Sequence, residues 1–322
     1  GDVNSDGLED IYLPGPEGKV GKLLLQNMDG SFLESIQQAF ITDAAYEDSY
    51  GLFFDADGDG DDDLWVVSGG FGEEKSGLPL EDRLYINIGG TFYRQENNIP
   101  KQQFAGSIAV AWDYDNDGDF DIFVGSRVAQ GKYPLSTGSK LYENQGKGKF
   151  VDKTSLLGNV LDNNEMITYV VTAQIDGSAK QTLITCGEWA SIRTYQFDKG
   201  EVKETTQQHF DKLQNGWWNT LHASDLDGDG DLDIIAGNWG LNAQFKPSVD
   251  QPMELYYDDF DNNGYIDPLW CYYIQGASWP AASRDEITDQ IVALRKKYVT
   301  YNSYADQKLE EILPHLNLKE VN

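Results

Sequence analysis

A nine-residue Asp/Gly loop recurs at near-constant spacing, and four short strand-like runs surround each well-formed copy. No helix pattern separates those runs. Together these features predict an all-β fold, a β-propeller of four-stranded antiparallel blades, with about five blades in this chain. A helical hairpin is expected at the C-terminal end.

The loop reads Asp-x-Asp/Asn-x-Asp/Asn-Gly-x-x-Asp and occurs five times. Its odd positions are Asp2, Asn4, Asp6, Leu8 and Asp10 in the first copy. They are Asp55, Asp57, Asp59, Asp61 and Asp63 in the second, and Asp113, Asp115, Asp117, Asp119 and Asp121 in the third. The fourth copy has Asp225, Asp227, Asp229, Asp231 and Asp233; the fifth has Asp259, Asp261, Asn263, Tyr265 and Asp267. Oxygens at positions one, three and five of a tight loop converge on one point, and Gly at position six permits the sharp turn. Position seven offers a backbone carbonyl, and the Asp at position nine closes the shell. Carboxylates at this density repel one another without a cation, and a flexible all-oxygen shell suits Ca²⁺ better than Mg²⁺. The loops therefore predict up to five structural Ca²⁺ ions. An EF-hand is excluded. Position twelve is Leu13, Val66, Val124, Ala236 or Trp270 where that motif needs Glu, and strand-like runs follow where it needs helices.

The chain carries 24 Lys+Arg against 54 Asp+Glu, a formal charge of −30. The five loop windows hold 23 of those acids, so the charge is concentrated at the repeat. Few basic residues exclude a nucleic-acid binder working through phosphate contacts and argue against docking on anionic membranes. Acidic disordered tails are poor in aromatics, unlike a chain with 8 Trp, 18 Tyr and 14 Phe. No apolar run reaches the length of a transmembrane helix, and no secretory leader precedes the first loop. A mature or excised fragment is the expectation. Cys186 and Cys271 read as two small buried hydrophobes, with a bridge between them as the alternative.

Loops one to three begin at Asp2, Asp55 and Asp113, spaced by 53 and 58 residues, and Asp225 follows 112 residues later. The copy expected midway is degraded: Asp176-Gly177 remains as a turn, and no metal is predicted there. In the third unit the expected strands are 107–112, 122–128, 139–145 and 149–154. The fifth loop starts only 34 residues after the fourth. It is expected to join strands three and four of the blade that begins near Asn219. In the tail, Ser283-Arg284-Asp285-Glu286 is a capping box, and Ile287, Ile291, Leu294 and Tyr298 share one helical face. A second helix is expected over about 303–313, with Pro314 as its stop. The predicted division is 1–280 for the blades and 281–322 for the helical hairpin.

No catalytic triad, zinc motif or phosphate loop is present, and His209, His222 and His315 have no metal-ligand spacing. Trp65, Trp112 and Trp270 fall mid-strand and are expected in the core. Residues following the second strands, Arg127, Glu188-Trp189 and Asn238-Trp239, together with Trp217-Trp218, form a candidate ligand face. Aromatics with a few amides and charges suit a sugar or peptide. Packing between blades is the competing explanation for the tryptophans.

The Asp-rich loop followed by an apolar strand and Gly resembles the FG-GAP or VCBS repeat of integrin-α-type propellers. The stretches GWWNTLHASDLDGDGDLDIIAGNWGLN and ELYYDDFDNNGYIDPLW are similar to bacterial ASPIC/UnbV and cartilage-acidic-protein-like members. That resemblance implies secreted or surface-exposed proteins, often outer-membrane lipoproteins, used in adhesion or in glycan or protein binding. It also implies a propeller of about seven blades, to which this chain and further blades or domains of a longer chain would contribute. The expected function is a calcium-stabilised extracellular binding module. The alternatives are a polysaccharide lyase or hydrolase, and a non-catalytic structural segment of a larger surface protein.

Overall fold

The computed structural model describes all residues except 71–78, 102, 159, 162–164, 176, 178, 179, 199, 213, 214, 315–318, 321 and 322. The chain divides into two compact units, Gly1–Gln130 with Leu135–Asn238, and Gly131–Pro134 with Trp239–Asn322. The fold is all-β, built of antiparallel sheets of the propeller-blade type. Asp176 and His315 lie outside the described residues.

In the first unit, β1 (Ile11–Leu13), β2 (Lys22–Gln26) and β3 (Phe32–Ser35) make a three-stranded sheet, followed by α1 (Gln38–Thr42). The second sheet is β4 (Asp48–Phe54), β5 (Asp63–Ser68), β6 (Arg83–Ile88) and β7 (Thr91–Gln95), in that order. The third repeats it with β8 (Ile108–Trp112), β9 (Asp121–Gly125), β10 (Lys140–Asn144) and β11 (Phe150–Asp152). The fourth holds β12 (Met166–Ala173), β13 (Thr182–Ser191), β14 (Arg193–Asp198) and β15 (Glu201–Glu204), and α2 (Thr206–His209) follows. The ten-residue β13 then outruns its own blade. Its last residues pair with β16 (Asn215–Ser224), which pairs in turn with β17 (Asp233–Asn238).

Side chains alternate between the two faces of a strand, and here each face meets a different blade. On β5, Leu64 and Val66 pack with Leu23, Tyr85 and Phe92, whereas Trp65 and Val67 pack with Ala109, Ile122, Val124 and Tyr142 of the next blade. Every residue of β5 and β9 is consequently buried, which accounts for their near-continuous apolar runs. The approach is close enough to require glycine. A Cβ on Gly69 would stand 1.9 Å from the Gly106 carbonyl oxygen.

In the second unit, β18 (Glu254–Asp258), β19 (Asp267–Ile274), β20 (Ala277–Pro280) and β21 (Lys319–Glu320) form a sheet ordered β20-β19-β18-β21. The tail contributes α3 (Arg284–Gln290), a 3₁₀ turn over Val292–Lys296, α4 (Tyr301–Tyr304) and α5 (Leu309–Ile312). The Ser283–Glu286 capping box is present. The second helix expected over about 303–313 is two separate turns, because Thr300 caps a new start and Lys308 is extended. Ile287, Ile291, Leu294, Tyr298, Tyr304, Leu309 and Ile312 bury themselves on Leu269 and Cys271.

The fifth loop corrects an expectation. It joins β18 to β19 within their own sheet, as the second loop joins β4 to β5, and β17 does not pair with β18. ELYYD shares its apolar alternation with the third strands of other blades, and alternation alone does not distinguish a first strand from a third.

Candidate metal centres and ligand face

Each Asp loop folds by the same internal hydrogen bonds. The position-one Asp accepts the N–H of the position-six Gly at 2.8–3.2 Å in all five copies. The position-nine Asp accepts the N–H of position two at 2.9–3.1 Å, from Val3, Ala56, Tyr114, Leu226 and Phe260. Position five accepts the N–H of position seven, which includes Leu8 on Asp6 and Tyr265 on Asn263. Positive φ at Gly7, Gly60, Gly118, Gly230 and Gly264 shows why position six is glycine.

Backbone N–H groups engage both oxygens of Asp55, Asp63, Asp113 and Asp121 and so fix these carboxylates toward the centre of their loops. One oxygen each from Asp55, Asp57 and Asp63 lie within 4.8 Å of one another, as do those of Asp113, Asp115 and Asp121. The same holds for Asp225, Asp227 and Asp229, and for Asp259, Asp261 and Asp267. No acidic triad of this kind forms in the first loop, where Asn4 stands at position three. Asp59, Asp61, Asp117, Asp119, Asp231 and Asp233 remain in the loops beside these triads.

The donor set fits a hard divalent cation. Asp61 Oδ1 and Asp261 Oδ1 are buried without any hydrogen-bond partner, a costly state that a cation would relieve. Burial, reinforced by neighbouring carboxylates, pushes Asp61 up to about 6 and Asp63 and Asp121 up to about 7. Asp267 is pushed to about 6 for the same reasons. Asp231 is raised chiefly by Asp229. A bound dication removes that repulsion at its source.

The ligand-face residues assemble in part. Arg127 directs Nε at 2.7 Å and Nη2 at 2.5 Å to the same oxygen of Glu188. The other oxygen of Glu188 is buried without a partner. Glu188 stands opposite Trp217 in the β13–β16 pairing, and the bulge that follows puts Trp189 at φ +54°. An aromatic residue rarely adopts that conformation. It brings the Trp189 and Trp217 rings to 5.5 Å between centroids. Trp218 and Asn238 are cross-strand partners whose side chains close over Gly216. Trp239 belongs to the second unit, where it lies 6.2 Å from both Phe245 and Trp270. Trp65 and Trp112 are core residues, whereas Trp270 is half-buried. Cys186 and Cys271 are free and buried. Neither His209 nor His222 joins a metal-ligating cluster among the described residues.

Sequence reasoning missed the polar groups between blades. Asn87 and Asn144 end RLYIN and KLYEN at equivalent places, a repeat visible in the sequence but unexplained by it. Ser49, Ser107 and Thr168 each donate to a backbone carbonyl of the next blade, at Gly106, Ile167 and Trp218.

Fold and loops together define a repeat protein of the propeller type with an oxygen-lined turn in successive repeats. Residues 2–66 and 55–124 match the FG-GAP-like repeat, and this part of the chain is built of such repeats. No curated protein matches it. Among the described residues, no helix is long and apolar enough to cross a membrane.

Proposed function

We propose that the chain is a calcium-stabilised extracellular or cell-surface binding module, with residues 1–280 supplying blades and 281–322 a helical extension. The Asp loops hold structural Ca²⁺, which sets the turns joining first to second strands. The bound ion would supply charge neutralisation, and the chain's residues supply the shell. The resemblance to ASPIC/UnbV and cartilage-acidic-protein-like members supports a secreted or lipoprotein setting and a partner outside the cell.

The ligand is a glycan or protein segment recognised at Arg127, Glu188, Trp189 and Trp217, and the pattern favours a glycan. The observation that carries this reading is the Arg127–Glu188 ion pair set across from the tilted ring pair of Trp189 and Trp217. The partly exposed Arg127 guanidinium offers N–H donors to sugar hydroxyls, and the C–H face of a pyranose lies on indole. The β-bulge re-aims a side chain, a common device beside binding sites. Glycan-array binding by the intact protein tests it. Binding that Trp217→Ala reduces at least about tenfold supports the site; equal binding by both forms rejects it.

A further inference from the structure

Asn87 and Asn144 tie each Asp loop to the next. Asn144 donates its backbone N–H to Asp121 Oδ1 at 2.9 Å, in the loop of its own blade. Its side-chain Nδ2 donates to the Ala56 carbonyl at 2.8 Å, position two of the preceding loop. The Ala56 N–H in turn donates to Asp63 at 2.9 Å. The relay then repeats one blade earlier. Asp63 accepts the Asn87 N–H at 2.8 Å, Asn87 Nδ2 reaches the Val3 carbonyl at 2.7 Å, and the Val3 N–H reaches Asp10 at 3.1 Å. An unbroken series, Asp10–Val3–Asn87–Asp63–Ala56–Asn144–Asp121, thus links three loops, and each member is at most 4% exposed. The Asn Oδ1 atoms are also engaged, by the N–H groups of Gly90 and Gly146, so neither amide is able to flip without loss.

The series stops at the degraded blade. Phe197 takes the place of the asparagine on β14 and lies 5.5 Å from the Tyr114 ring, position two of the third loop. A ring contact there replaces the directional bond.

We propose that Asn87 and Asn144 are positioning residues that couple cation binding among loops one, two and three, leaving loops four and five independent. Coupling of this kind requires that the ordering of one site bias the other, and it is reciprocal. Fixing Asp121 around an ion fixes the Asn144 backbone, hence Ala56 and the position-nine ligand Asp63. The proposal rests on the calcium reading above.

The test uses the full chain labelled with ¹⁵N and titrated with Ca²⁺, following the Gly60 amide as a reporter of loop two. Silencing loop three with Asp115→Asn and Asp117→Asn is expected to raise the Gly60 midpoint about fivefold or more. Silencing loop five with Asp259→Asn and Asp261→Asn is expected to leave it unchanged. In an Asn144→Ala background the loop-three effect is expected to fall below about twofold. A Gly60 midpoint indifferent to loop three overturns the coupling. Equal shifts from loops three and five also overturn it, since they would report general charge removal. The first two comparisons stand even if Asn144→Ala does not fold. Absence of any Ca²⁺ response at Gly60, Gly118 or Gly230 would instead reject the calcium reading itself.

Discussion

Arg127 gives two nitrogens to a single oxygen of Glu188 and leaves that residue's second oxygen buried and unpaired. Removing the arginine would strand a carboxylate that is 4% exposed. Arg127→Ala should destabilise the protein by about 3 kcal/mol, read as a lower urea midpoint. Glu188→Gln should cost less, because it leaves no buried anion. A smaller loss for Arg127→Ala than for Glu188→Gln would contradict the pairing.

Asn144 is 1% exposed and its amide is fully engaged. Asn144→Ala leaves the Ala56 carbonyl without its donor, and a loss of about 1–3 kcal/mol is expected. The exposed Gln145→Ala serves as the control and should change stability by less than about 0.5 kcal/mol. Indistinguishable denaturation curves for the two variants would show that the amide contributes nothing.

Gly69→Ala tests the tight approach of blades. A Cβ only 1.9 Å from the Gly106 oxygen forces the backbones apart, at a cost of about 1–3 kcal/mol or more. Gly7 has open space around it but φ +84°, so Gly7→Ala probes conformational strain alone. A neutral Gly69→Ala would contradict the packing.

Asp82 accepts the Trp65 indole N–H at 3.2 Å and the Ser68 N–H at 3.0 Å. Burial nevertheless pushes its carboxyl up to about 7, against about 4 when unfolded. The fold therefore favours the protonated form. The stability this contributes is complete below about pH 4 and is lost as pH rises through about 7. Asp82→Asn removes the titration, so wild-type stability should fall relative to the variant between about pH 4 and pH 7 in saturating calcium. Parallel pH profiles would show that Asp82 does not titrate in that range.

Much of this was legible because the loop chemistry is local. Carboxylates two residues apart around a Gly at positive φ need no distant partner to be recognised, and the continuous burial of β5 and β9 is written in their apolar runs. Relationships between blades were not legible. The ends of β13 and β16 pair across a blade boundary, and Asn87 reaches Val3 over 84 residues of sequence, which no local pattern encodes. The placement of the fifth loop failed for a related reason: β18 reads like a third strand until its partners are known. Of the candidate ligand face, Arg127 lies past the end of β9 and meets Glu188 across 61 residues of sequence, and the Trp189 bulge follows from irregular pairing that propensity does not reveal.

The central claim is that the Asp loops are cation sites on which the fold depends. The direct measurement is thermal unfolding of the intact chain in chelator, in Mg²⁺ and across a series of free Ca²⁺ concentrations. A ligand bound only by the folded state stabilises it by about 2.7 kcal/mol at a hundredfold excess over its dissociation constant. The midpoint should therefore climb steadily with free Ca²⁺ and much less with Mg²⁺. A midpoint identical in chelator and in millimolar Ca²⁺ would contradict the account.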